Sequence, residues 1–188
     1  MRQQDEIVIA AIRCLNTDPT LSMGRLAEAI GVSRATLHRH FATRDALMHA
    51  LGSRALDSWE TSQDLAGIDE AGASGDPVRI AAALETLIRR FVADAEEHGY
   101  ALTAHTTASL PDLVDRTDRL ERREIAFYTA AQRAGVIRSD LPGAWISNHV
   151  YGLMVAVRES LRQGSVARRD IEEHVLTTLR AGVGGSSS

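Results

Sequence analysis

Arg34, Thr36, His38, Arg39 and His40 fall within seven consecutive residues. Their side chains donate hydrogen bonds and carry or can acquire positive charge, which suits a polyanion rather than covalent chemistry. An Arg guanidinium can hold guanine O6 and N7 through two parallel bonds, and a Thr or Ala methyl can meet the methyl of thymine. On this chemistry Arg34, Ala35, Thr36 and His38 are candidates for base edges. Ser22, Ser33, Arg39, His40, Thr43 and Arg44 are candidates for phosphates. Residues 22–49 carry four Arg and three His against Glu28 and Asp45 alone, whereas the whole chain has a formal net charge of −4. A basic patch on an acidic protein is the electrostatic footprint of a nucleic-acid site.

The other reactive side chains form no recognisable reacting group. Seven His, one Cys and 25 carboxylates are present, but no HExxH, GxSxG, CxxC or phosphate loop. His98 and His105 are separated by Gly99 and do not share one helix. No catalytic residue, metal site or cofactor is therefore expected. Cys14 cannot form an internal disulfide and reads as a small core residue in a reducing cytoplasm. No run reaches the roughly 18 apolar residues of a membrane span. The opening MRQQDEIVIAAIRCL lacks the layout of a signal peptide and reads as an amphipathic helix with Ile7, Ala11, Cys14 and Leu15 inward. A cytoplasmic protein with no membrane partner is expected.

The basic run needs a scaffold, and the flanking residues supply its signals. Ser22 is placed to cap a helix over 23–29, with Leu21 and Leu26 as a hydrophobic staple. Gly31 stops that helix, because Gly takes a left-handed conformation at no steric cost. Ser33 then caps a second helix, stapled by Val32 and Leu37, and Thr43 caps a third, stapled by Ala42 and Leu47. Leu37 and Phe41, four apart, pack back on the first helix. Helix, short Gly turn and second helix make a helix-turn-helix, whose second helix enters the DNA major groove.

The run GRLAEAIGVSRATLHRHFATRDAL closely resembles the DNA-binding domain of the TetR (tetracycline-repressor) family of transcriptional regulators. The resemblance is strongest over about residues 5–50 and looser in AGVIRSDLPGAW and the C-terminal helices. It implies an all-α, dimeric protein in which a small molecule bound by the C-terminal part releases the protein from its operator. The family most often has Tyr where this chain has His38.

Downstream periodicity predicts helices over 44–65, 77–98, 100–110, 112–134, 142–163 and 168–182, about nine in all. AGIDEAGASGDP (66–77) reads as a flexible loop. DRTDRLERRE (115–124) reads as a solvated charge run with pairs three and four residues apart. The expected organisation is a helix-turn-helix domain over 1–48, an effector-binding and dimerisation bundle over 49–182 and a flexible tail over 183–188. Ile146, Val150, Leu153, Val157 and Leu161, with Ile171, Val175 and Leu179, form stripes near heptad spacing. Two such helices from each of two copies would make a four-helix interface, although the same stripes could face the chain's own core. The resemblance favours the homodimer. It would set two reading heads roughly 34–36 Å apart, one DNA turn.

A small-molecule site needs apolar walls with a few polar handles. The candidates are Trp59, Phe91, Tyr100, His105, Tyr128, Trp145 and His149. Tyr100 and His105 lie on the short helix that borders the ligand cavity in the resembled family. Trp145, His149 and Gly152 share one helix face. The functional expectation is a sequence-specific regulator, a repressor released from a palindromic operator by an effector of unknown identity. The alternative is a ligand-independent or architectural DNA-binding protein controlled by protein partners.

Overall fold

The computed structural model describes residues 2–103 and 110–184. Nine helices occupy them: α1 (Arg2–Thr17), α2 (Met23–Ala29), α3 (Arg34–His40), α4 (Arg44–Ala66), α5 (Ile68–Ser74), α6 (Pro77–Thr103), α7 (Pro111–Arg133), α8 (Gly143–Gln163) and α9 (Arg168–Val183).

The capping hydroxyls act as the sequence predicts. Ser22, Ser33 and Thr43 each have extended backbone and accept from the N–H three residues on, at 3.4, 3.0 and 3.1 Å. Gly31 has φ +76°, and the Val32 N–H reaches back to Ala27 O at 2.9 Å, closing α2 with a Schellman turn. The first core gathers Ile7, Val8, Ala11, Ile12 and Leu15 of α1, Leu26 and Ala27, Leu37 and Phe41, and Leu47, Met48 and Leu51 of α4. Cys14 packs against its edge.

A second core fills the space between α4 and α9, with α6 at its centre packed against α4, α5, α8, α1 and α9. The two cores meet along α4, a single helix. The expected domain division at 48/49 thus falls inside a continuous element, about one turn before Leu51, the last α4 residue of the first core.

Four expectations are corrected. The segment 66–77 is not a loop: α5 forms there, because Gly67 at φ +63° turns the chain and Ile68 and Ala71 bury on one face. Its Gly72 allows close approach to α7, where an added Cβ would lie 3.4 Å from Ala130 Cβ. Gly99 does not end α6. The helix is kinked at His98 (φ −112°, ψ 17°) and runs on to Thr103. The chain also does not loosen at 183, since Val183 is buried in α9 and its carbonyl accepts from Arg138 N at 2.9 Å. Residues beyond 184 lie outside the described part. Finally, the charge run 115–124 pairs with neighbouring helices rather than along its own. Arg116 meets Asp57 and Glu60, and Arg123 meets Asp64 and Asp69. Its last member, Glu124, is buried.

Candidate nucleic-acid interface and internal cavity

Leu37 and Phe41 are almost wholly buried and press α3 onto α2. That orientation leaves Arg34, Ala35, His38 and Arg39 exposed on one side, with Thr36 and His40 half-buried. The Thr36 hydroxyl is held by Ser33 Oγ at 2.9 Å. A Cβ on Gly24 would come within 3.1 Å of Arg34 Cζ and Nε, so the guanidinium lies against the first turn of α2. Other candidates are engaged within the fold. Arg44 Nη1 donates to Leu21 O at 2.6 Å and ties the start of α4 to the segment before α2. His40 turns Nε2 inward, where it has no partner. The exposed charge of α3 is therefore concentrated on Arg34 and Arg39, beside the two imidazoles.

A cavity of about 390 Å³ opens between α4, α6, α7 and α8. Gly52, Ala55, Leu56 and Trp59 of α4 form one wall, with Phe91, Asp94, Ala95, His98, Ala101 and Leu102 of α6 opposite. Thr117, Glu121 and Glu124 of α7 and Ser147, Asn148, Val150, Tyr151 and Met154 of α8 complete it. A larger recess of about 570 Å³ lies between α1 and α6, but Arg13, Glu96, Glu97 and Arg168 line it, and its Arg168–Glu96 pair marks it as a solvated cleft.

Glu124 is the most unusual group in the cavity wall. It is 3% exposed. Trp59 Nε1 and Gln63 Nε2 (3.0 Å) donate to its Oε1, and Tyr128 O–H donates to Oε2 at 3.2 Å. Burial pushes its carboxyl up to about 7, against the three donors, which favour the carboxylate. Tyr128 is raised as well, by its own burial and then by Glu124. Asp94 accepts from Ser58 Oγ at 2.6 Å and Ser62 Oγ at 2.7 Å. Burial lowers His98, outweighing the carboxylates of Glu97 and Asp94, and its Nδ1 has no partner.

The family model for bacterial regulatory proteins of the tetR family matches residues 7–51. The HTH-type transcriptional regulator NfxB of Pseudomonas aeruginosa is 30% identical over 186 residues, covering 92% of both chains. The chain belongs to the TetR family. It is a DNA-binding transcriptional regulator. The HTH-type transcriptional repressor LfrR of Mycolicibacterium smegmatis is 27% identical over 183 residues, 97% of this chain and 90% of that one. The structure of LfrR in complex with proflavine superposes with a TM-score of 0.72 at 23% identity, covering 96% of this chain and 97% of that one. AibR in complex with isovaleryl coenzyme A and operator DNA superposes at 0.69 and 16% identity, covering 94% and 97%. Among the described residues no helix is long and apolar enough to cross a membrane.

Within this TetR-family chain the expected effector residues are divided. Trp59 and Phe91 line the cavity. Tyr128, fully buried, stands behind the wall and reaches the cavity only through Glu124. Tyr100 belongs to the first core, its hydroxyl 3.3 Å from Met48 Sδ. Trp145 points to solvent at 62% exposure. His149 faces α9, where a Cβ on Gly182 would lie 3.2 Å from its Nε2. His105 lies outside the described residues. Sequence reading missed Glu124, Asp94, His98 and Tyr151. Glu124 had a signal, since it shares the apolar stripe of Leu113, Leu120, Phe127, Tyr128 and Ala131. The dimer stripes also need correction. Ile146, Val150, Val157, Ile171, Val175 and Leu179 are buried in the chain's own core, and Leu153 and Leu161 pack against it. The six enclosed side chains have no surface left for a second copy, whereas Leu153 and Leu161 are only half-buried.

Proposed function

We propose that this regulator is a dimeric repressor that leaves a palindromic operator when a small molecule fills the cavity between α4, α6, α7 and α8. The observation that carries the reading is the double role of α4. Its Leu47, Met48 and Leu51 belong to the core that carries α3, while the next residues, Gly52, Ala55, Leu56 and Trp59, line the cavity. A ligand that prefers a shifted α4 must shift the reading head, and such a preference is what release requires. LfrR holds proflavine, and AibR holds isovaleryl coenzyme A together with operator DNA. Both support a small-molecule site in this fold.

In this reading residues 1–48 form the DNA-binding part and 49–182 the effector and dimer part, in the cytoplasm. Arg34, Ala35, Thr36 and His38 meet base edges, and Arg39 is the foremost phosphate contact. Two copies meet through the outward faces of α8 and α9, with exposed Trp145 and Gly152 on one helix and Thr177, Thr178 and Ala181 on the other. The test is selection of bound fragments from sheared genomic DNA at about 150 mM salt, where purely phosphate-driven binding is weakened. A short enriched palindrome, whose binding falls when a cavity ligand is added, is expected. Fragments with no shared motif would overturn the sequence-specific reading in favour of an architectural protein. A palindrome insensitive to every cavity ligand would overturn release by an effector.

A further inference from the structure

Among the described residues the cavity wall carries carboxylates and no Arg: Asp94, Glu121 and Glu124 reach it, and burial shifts the His98 imidazole against its charged form. Its volume of about 390 Å³ suits a drug-sized molecule, and Trp59, Phe91 and Tyr151 supply aromatic walls. His98 adds a buried nitrogen, Nδ1, with no partner in the fold. We propose that the cavity takes an aromatic organic cation, and that Glu124 is the residue that selects for its positive charge. The inference rests on the cavity being the effector site.

Glu124 lacks a countercharge among the groups it meets. A carboxylate this deeply buried is desolvated, and its three neutral donors offset only part of that loss. Among the described residues no cation lines the cavity beside Glu124, and Arg123, which reaches Gln63 Oε1 at 3.3 Å, is already paired with Asp64 and Asp69. From α4 Glu124 meets Trp59 and Gln63, and from α7 Tyr128 and Glu121. Across the cavity stand Asp94 and His98 of α6, with Arg54 of α4 acting on His98 from outside the lining, and α8 contributes the uncharged Ser147, Asn148, Val150, Tyr151 and Met154. An ammonium or amidinium entering this space supplies the missing countercharge, while an anion meets three carboxylates. Aromatic faces add favourable contact with a cation. Because burial raises Glu124 to about 7, a cation must displace its proton below neutrality. Affinity for the cation then rises with pH up to about 7 and levels off above.

Three anthracenes of nearly the same shape isolate charge: 9-aminomethylanthracene (an ammonium), 9-anthracenemethanol (neutral) and 9-anthracenecarboxylate. Their binding to the full-length protein is read by fluorescence at pH 8. The ammonium is expected to bind at least tenfold tighter than the other two. Its affinity should rise severalfold from pH 6.5 to 8, while that of the alcohol stays constant. In Glu124→Gln the amide keeps acceptors for Trp59 and Gln63, so a structural hub survives. There the ammonium should fall to within about twofold of the alcohol, with no pH dependence. Equal binding of all three, a tighter carboxylate, or a preference unchanged in Glu124→Gln would overturn the proposal, and the wild-type series decides this even without the variant. Operator affinity measured beside it separates the two readings. Ammonium binding without operator release overturns the effector role alone. Operator release by the alcohol or carboxylate, but not the ammonium, overturns the charge selection alone.

Discussion

Arg34 and Glu124 show how little a residue's type says without its surroundings. Arg34 is exposed and rests against Gly24 at the start of α2, free to swing towards a base edge. Arg34→Ala should weaken operator binding by roughly 1–3 kcal/mol and relax the preference at one base pair. Titration against single-base operator variants checks this, since uniform weakening would assign the side chain to a phosphate. Glu124 is also formally charged, but burial has raised its carboxyl from 4.5 to about 7. Between those values the folded protein holds a proton that the unfolded chain releases, so stability falls as pH rises through that window. Glu124→Gln removes this loss. Its stability relative to wild type should grow from pH 5 to pH 8 by an amount on the order of 3 kcal/mol. Urea unfolding at the two pH values measures it, and a constant difference would mean that the carboxylate is better solvated than its 3% exposure implies.

At the scale of elements, the kink in α6 is the joint between the two cores. There the Asn16 side chain of α1 enters the helix ladder. Its Nδ2 donates to Glu97 O at 2.8 Å, and its Oδ1 accepts from Tyr100 N at 2.7 Å. An inserted side chain of this kind is a recognised cause of a helix kink. His98, the kinked residue, lines the cavity, while Tyr100, two residues on, packs into the first core. Asn16→Ala leaves a backbone donor and acceptor unpaired and should cost roughly 1–3 kcal/mol of stability. Ligand affinity should persist while the drop in operator affinity on ligand binding shrinks. Calorimetry for the ligand and anisotropy for labelled operator separate the two, and full coupling in the variant would remove Asn16 from the joint. The caps, the Gly31 stop and the apolar stripes of α1, α8 and α9 were legible in sequence, because each depends on neighbours within about one helical turn. The kink was not, because its cause lies on a helix more than 80 residues away.

For the whole molecule, the distinction between core and interface has a direct test. Gly152 is exposed with nothing within 4 Å of an added Cβ, whereas Val150 is 2% exposed in the second core. Gly152→Arg should give a folded monomer if the outward face of α8 joins two copies. Val150→Asp should unfold the chain by burying an unpaired charge. Sedimentation and circular dichroism distinguish these outcomes, and a dimeric Gly152→Arg would move the interface elsewhere.

The sequence by itself determined the all-helical architecture, the helix-turn-helix and the family, because caps, Gly stops and helical periodicity are local and the reading head is one unbroken run. Only the tertiary structure decided which apolar stripes are enclosed, which aromatics line a cavity, and that the last carboxylate of an apparently solvated run lies inside. Periodicity shows that a helix has an apolar face but not what covers it. That depends on how α4, α6, α7 and α8 converge across tens of residues of intervening chain.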